Sequence, residues 1–477
     1  MMIKPTRRNV LQGTLLAGIA TFSSSIVSDA NAAPDPKRAP WARATYIQAK
    51  VRAPRFGRRV FNIVDYGAVE GGEQPCTEAI AAAIAACAAS RGGGQVLVPP
   101  GNFLTGPIHL ASNVNLHISQ GATLLFSTTP ADYLPAVLTR FEGMELYNYS
   151  PLIYAYDCEN VAVTGDGTLD GQADNTNWWP WKGKAQYGWV PGTSEQSTAR
   201  DRLIAQVAAD APVEERIYGE GDYLRSSFIQ PYKCRNVWIQ GVTILRSPMW
   251  EVHPVLCENV LVEEVTINTH GPNNDGCNPE SCSMVVIQDC TFSTGDDCIA
   301  IKAGRNNDGR RVGVPTTDVL IQNCSMADGH GGITIGSEMS GGVANVFARD
   351  CSLSSPNLDI ALRFKTNSVR GGYIRGFWAR DITVGTVAKA AIDIDFYYEE
   401  GPGHGFNPDV SDINVADMTV QSARQSLNIS GYPDCHIRGL RLSDIDFGST
   451  QITPRVEYVD DVVIEDVYEN GQPLTLS

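Results

Sequence analysis

The chain of 477 residues is 43% hydrophobic and 19% charged, and its 45 glycines and 27 prolines fall well short of a collagen-like or low-complexity composition. Its 37 Lys and Arg are outnumbered by 53 Asp and Glu, for a formal charge of -16. That balance excludes proteins that hold nucleic acid or anionic membrane through clustered positive charge, and an anionic substrate would need a local basic patch set against the overall field.

In chain order, Arg7 and Arg8 precede a weakly apolar stretch at residues 10–27, and Ala30-Asn31-Ala32 supplies a small-x-small cleavage pattern. Paired arginines ahead of such a stretch predict a cleaved twin-arginine export signal over residues 1–32, of the kind that carries folded proteins out of a bacterial cytoplasm. A general secretory signal that happens to contain two arginines is the alternative. Either reading places the mature protein in the periplasm or outside the cell. No later run approaches the ~20 apolar residues needed to span a bilayer, so no membrane association is expected after signal removal.

Residues 33–58 read as an N-terminal extension and residues 59–477 as one catalytic domain. Residues 77–90 (TEAIAAAIAACAAS) predict an Ala-rich helix suited to cap the open end of a repeat array. Residues 101–127 read as its first rungs, and residues 178–220, rich in Trp and polar side chains, as a long excursion.

From residue 236 onward the sequence repeats itself. NVWIQGVTI at Asn236 is echoed by NVLVEEVTI at Asn259, MVVIQDCTF at Met284, DVLIQNCSM at Asp318, NVFARDCSL at Asn345 and DINVADMTV at Asp412. Weaker copies start at Gly376, Gly439 and Asp461, and each holds two short strand-like runs broken by a polar or glycine-containing bend. Tandem units of this size that cannot bury their own faces form solenoids. Strands without intervening helices specify an all-β parallel β-helix, in which like side chains stack at the ~4.8 Å strand spacing. Twelve cysteines, several of them in apolar strand patterns, include no Cys-x-x-Cys pair, which argues against a zinc site. Disulfides and stacked free thiols both remain open.

Three bend segments carry unusual chemistry. They are residues 271–281 with Asp275, residues 293–302 with Asp296, Asp297 and Lys302, and residues 328–338 with His330. The strand-like run Arg363-Phe364-Lys365 follows. Asp275 and Asp296 are 21 residues apart, about one circuit; His330 lies 33 beyond Asp297, a circuit plus a loop, and Arg363 a further 33. Arg363 and Lys365 alternate onto one strand face. The spacing thus gathers three acids, a histidine and a basic pair on one side of a rigid barrel. Crowded carboxylates repel, so at least one should retain a proton near neutrality, as glycoside hydrolysis requires of its acid. The basic neighbours argue against a cation site, and no metal is expected.

Four motifs, Asn273-Asn274-Asp275, Gly295-Asp296-Asp297, Gly329-His330-Gly331 and Arg363-Phe364-Lys365, make the chain resemble glycoside hydrolase family 28, the polygalacturonases and related pectin hydrolases. The resemblance extends over nearly all of the chain beyond the signal. It implies a right-handed parallel β-helix, inverting single-displacement hydrolysis, and no cofactor. It further implies Asp296 as general acid, Asp275 and Asp297 as activators of water, and His330 as a residue that tunes the acid. Arg363 and Lys365 would grip a galacturonate carboxylate, Lys302 would extend that basic patch, and Tyr398 (or Tyr397) would join them. The expected partner is a pectic polysaccharide or oligogalacturonide bound by a monomer. Asn274 and Phe364 depart from the family's usual threonine and isoleucine, and both are expected to lie away from the cleft. The Trp178, Trp179 and Trp181 cluster is read either as a sugar-stacking wall or as a hydrophobic anchor. Arg305, Arg310 and Arg311 are read either as a cationic extension or as solvated loop charges. The 139–151 and 178–220 segments are long enough to wall off one end, which points to exo-action. Elimination by a pectate lyase and non-catalytic carbohydrate binding are the rival readings.

Overall fold

The computed structural model describes residues 39–476, so the predicted export signal lies outside the described residues. The repeat resolves into a parallel β-helix whose parallel strands pair rung upon rung from Val60–Asn62 to Val463–Glu469. One inward column runs Val96, Leu116, Val163, Ile239, Val262, Ile287, Ile321, Ala348, Ala379, Val415, Leu442, each residue in register with the next. All are buried. Burying each large aliphatic of such a column stabilises the barrel by about 1.5–3 kcal/mol.

The repeat has a backbone cause. Its first residue, Asn236, Asn259, Met284, Asp318, Asn345, Gly376, Asp412, Gly439 or Asp461, stands in the left-handed region, and so does the residue five positions later in each copy. Asn, Asp and Gly tolerate that conformation best, which is why they mark the period. Their side chains also stack: Asn259 Nδ2 donates to Asn236 Oδ1 at 2.6 Å, Asn236 to Asn160 at 2.8 Å, and Asn160 to Asn113 at 2.9 Å. The twelve cysteines are all unpaired thiols, eleven of them buried. Several form ladders of the same kind, the backbone N–H of Cys234 and of Cys257 each lying 3.4 Å from the sulfur one rung on.

Helix α1 (Ala39–Lys50) occupies twelve of the residues that the sequence suggested only as an extension. It docks Ala44, Ile47 and Val51 onto Leu261, Val286, Leu320 and Phe347 on the barrel's outer wall. Helix α2 (Thr77–Ala89) is the predicted cap, its buried Ile80, Ala83, Ile84 and Cys87 laid over the first rung. That rung begins earlier than residues 101–127, because Val60–Asn62 pairs with Gly94–Val98 and the latter with Val114–Ile118. No helix among the described residues is long and apolar enough to cross a membrane.

Two segments leave the barrel. An antiparallel hairpin, Val137–Phe141 with Met144–Asn148, lies across the face that carries Ile153–Tyr156 and Ile229–Tyr232. The excursion contains helix α3 (Ser197–Ala208), which packs against helix α4 (Asn306–Val312).

Candidate active site

The face formed by Ile299–Ile301, Ile333–Gly336 and Ile360–Lys365 stacks Ile299 on Ile333 and Ile333 on Leu362. Asp296-Asp297 enters the first of these strands and His330 the second, while Arg363 and Lys365 project from the third. Register therefore brings together residues that the sequence separates by a circuit. Asp275 is held on the preceding rung by Asn274, which is fully buried and has every hydrogen-bonding position filled. Its Oδ1 accepts from Thr269 Oγ1 and the Gly271 N–H, both at 2.6 Å, and its Nδ2 donates to the carbonyls of Ser247 (3.1 Å) and Met249 (3.0 Å). Glycine is needed beside His330, since a Cβ on Gly331 would stand 2.8 Å from Asp297 Oδ1. Phe364 turns inward against Phe377, as its alternation with Arg363 and Lys365 predicts.

Asp275, Asp296 and Asp297 each present an oxygen within 4.8 Å of the others. Asp297 is wholly buried and paired with Lys365 Nζ at 2.7 Å and Arg363 Nη1 at 3.2 Å. Asp275 lies 3.4 Å from Lys302 Nζ, which also meets Glu338 at 3.0 Å and sits 4.4 Å from the Trp250 ring centre. Asp296 is the most accessible of the three, with Nδ1 of the half-exposed His330 at 3.1 Å. Three carboxylates this close form a geometry that a divalent cation can use. Here the compensating charge is instead built in, as Lys302, Arg363, Lys365 and His330.

Burial raises Asp275 well above the carboxylate range, and the charges of Asp296 and Asp297 add to this against the pull of Lys302. For Asp296, burial also pushes upward, but the hydrogen bond and charge of His330, with Lys365 and Arg363, outweigh it and hold the group low. His330 is raised in return by its bond to Asp296 and by that carboxylate's charge. The upward push that crowding was expected to give one acid thus falls on Asp275, while His330 beside Asp296 holds that acid low. A fourth carboxyl, Glu251, was not foreseen. Fully buried on the rung before Asp275, it has no hydrogen-bond partner for either oxygen among the described residues. Its backbone N–H donates to the Asp275 carbonyl at 2.9 Å. Burial, with the neighbouring Asp275 and Asp296 carboxyls, raises it well above the carboxylate range.

The cleft around this cluster has a volume of about 230 Å³. All the expected site residues line it except Asp297, which lies buried beneath Arg363 and Lys365. Tyr398, not Tyr397, faces the cleft, which settles the register left open by the sequence. Three further lining residues, Glu142, Lys182 and Arg200, come from the two segments that leave the barrel. Glu142 in the hairpin turn pairs with Arg200 of α3 at 2.7 Å and with Arg305 at 2.9 Å. Lys182, at the end of a helical turn in the excursion, completes the wall. The hairpin itself covers the face below the site. Its Leu138 carbonyl accepts from Tyr154 Oη at 2.6 Å, Thr139 Oγ1 meets Gln230 Oε1, and Arg140 reaches Glu280 at 2.8 Å.

Two open alternatives are resolved by this arrangement. Trp178 is buried against Tyr133 and Trp181, and Trp179 donates to the Ser247 carbonyl, so these rings anchor the excursion and present no stacking wall to the cleft. Of the three arginines, Arg305 belongs to the cleft. Arg311 is spent on Asp308 and Glu145, and Arg310 caps the Val369 and Arg370 carbonyls outside it.

Residues 224–430 match the family model for glycosyl hydrolases family 28. A probable polygalacturonase of Vitis vinifera is 30% identical over 400 residues, 80% of this chain and 73% of the relative. An exo-poly-alpha-D-galacturonosidase of Dickeya chrysanthemi is 27% identical over 81% of this chain and 65% of its own length. Among solved structures, an exopolygalacturonase from Thermotoga maritima is 44% identical, with a TM-score of 0.86, covering 89% of this chain and 96% of that one.

Proposed function

Because the chain belongs to glycosyl hydrolase family 28 and is therefore a glycosidase, we propose that it hydrolyses α-1,4-galacturonosidic linkages of pectic chains, releasing units from the non-reducing end with inversion. The observation that carries this reading is a cluster of three carboxylates ringed by cations in a cleft closed on one side by the hairpin and the excursion. A polymer entering such a cleft seats its terminus against the wall and extends only away from it.

In this mechanism Asp296, the accessible acid, protonates the leaving oxygen. Bound galacturonate brings a negative charge beside Asp296 and strips water from it, and both favour the neutral form. The proton comes from His330, its ion-pair partner. Asp275 and Asp297 together orient the attacking water, and Asp297, held by Arg363 and Lys365, takes its proton. Arg363, Lys365, Lys302 and Tyr398 border the sugar site and supply donors to its carboxylate and hydroxyls.

The spacing favours a second reading. Inverting pairs usually stand ~6.5–9.5 Å apart to admit water, whereas retaining pairs stand ~5–5.5 Å apart, and the oxygens here lie within 4.8 Å. Against retention, both candidate nucleophiles are buried and bound to cations, Asp275 by Lys302 and Asp297 by the basic pair.

Product analysis early in the digestion of polygalacturonate tests the mode of attack. Monomer or dimer from the first minutes, with viscosity barely changed, is the expected result. Mixed oligomers and a rapid fall in viscosity would reject exo-action.

A further inference from the structure

Six lysines and arginines line the cleft, and five of them are spent on the protein's own carboxylates. Arg200 and Arg305 hold Glu142, Lys302 holds Glu338 and Asp275, and Arg363 and Lys365 hold Asp297. Lys182 is different: among the described residues no carboxylate oxygen lies within 4.0 Å of its Nζ, which donates instead to Asn273 Oδ1 at 2.8 Å. The same amide oxygen accepts from Arg225 Nη2 at 2.9 Å, so two cations converge on one neutral acceptor. Burial lowers the Lys182 pKa, and the charges of Arg225 and Arg200 add to this while Glu142 and Asp296 oppose it. A desolvated ammonium without an anion beside it is costly, and an arriving carboxylate relieves that cost.

The side chain is also held in place. Lys182 ends the helical turn Trp179–Lys182, closed by Gly183 in the left-handed conformation and pinned to the barrel by Trp179 Nε1, which donates to the Ser247 carbonyl at 2.8 Å. It lines the cleft beside Asn273, in the same lining as Glu142 and Arg200 from the segments that leave the barrel. The rings anchoring the excursion thus serve to present this one cation.

We propose that Lys182 receives the carboxylate of the sugar seated at the closed end of the cleft, making a free carboxylate on that terminal residue a requirement for efficient turnover. The assignment rests on the pectic reading above and adds to it the chemistry of the end group. Arg363 and Lys365, with Asp297 as their own counter-ion, would then be the weaker of the two sources of charge selection at this position.

The test compares two defined oligogalacturonides, one unesterified and one methyl-esterified only on its non-reducing terminal residue, with the unaltered protein, Lys182→Met and Lys182→Arg. For the unaltered protein the ester should lower kcat/KM about ten- to a hundred-fold, the range of one hydrogen bond to a charged group. Lys182→Met should show a loss of the same size on the unesterified substrate, carried by KM, and no further loss on the ester. Lys182→Arg should recover most of the discrimination. Equal losses for Lys182→Met on both substrates, or none on either, would overturn the assignment. Failure of the unaltered protein to cleave either substrate would sink the pectic reading itself.

Discussion

Asp296→Asn should lower kcat by at least about 10³-fold, the upper range for loss of a positioned general acid, while leaving oligogalacturonide binding within a few-fold. Asn has nearly the shape of Asp and still accepts from the Asp297 N–H, which lies 3.0 Å from Asp296 Oδ1. What it cannot do is carry the His330 proton to a leaving oxygen. The His330 pKa should also fall in this variant, because the hydrogen bond and charge that raise it come from Asp296. Steady-state kinetics together with calorimetric binding separate the two quantities. Retained hydrolysis would remove Asp296 from its assigned role.

The second large effect concerns the wall. Arg140→Met should release the hairpin. Arg140 Nη1 lies 2.8 Å from Glu280 Oε1, and Glu280 Oε2 lies 2.8 Å from His253 Nε2. The His253 Nδ1 edge is closed by Gln230 Nε2 at 2.9 Å and Ser227 Oγ at 3.1 Å. Every member is buried. Burial keeps His253 neutral despite the pull of Glu280, so Arg140 supplies the network's only full positive charge. Removing one partner of such a pair costs about 3–5 kcal/mol. In a solenoid this cost falls on the local element rather than on the whole barrel. Hydrogen exchange in residues 137–148 should therefore accelerate by roughly a hundred- to a few thousand-fold, with the inner strands unchanged. The same variant should begin to cut internally, because the wall that blocks the polymer is the element set free. Unchanged exchange there, with terminal products only, would show that the hairpin neither depends on Arg140 nor sets the mode of attack.

What could be read from the sequence and what could not divide along one physical line. Asp275, Asp296, Asp297, His330, Arg363 and Lys365 were legible because rung geometry converts fixed spacing into proximity, and left-handed bends mark each rung with Asn, Asp or Gly. Lys182, Glu142 and Arg200 were not, since they reach the cleft from segments whose paths depend on contacts far away in sequence. Lys182 sits beside tryptophans that drew attention to themselves, and the cation they present carried no signal of its own. Helix α1 was missed for a related reason: its apolar face is narrow, and only the outward Leu261, Val286, Leu320 and Phe347 show what covers it. Which acid is raised was equally hidden. Repulsion among three acids is readable from spacing, but that it raises Asp275 and not Asp296 depends on burial and on which one meets His330.

The account stands most directly on a single turnover in ¹⁸O-labelled water. Hydrolysis by this cluster predicts one label at the new anomeric hydroxyl, in the β configuration when first formed, and no unsaturated sugar. A product with a ring double bond and no label would mean elimination, and a labelled product of retained α configuration would make one of the buried acids a nucleophile. Either result would contradict the mechanism built on Asp275, Asp296 and Asp297.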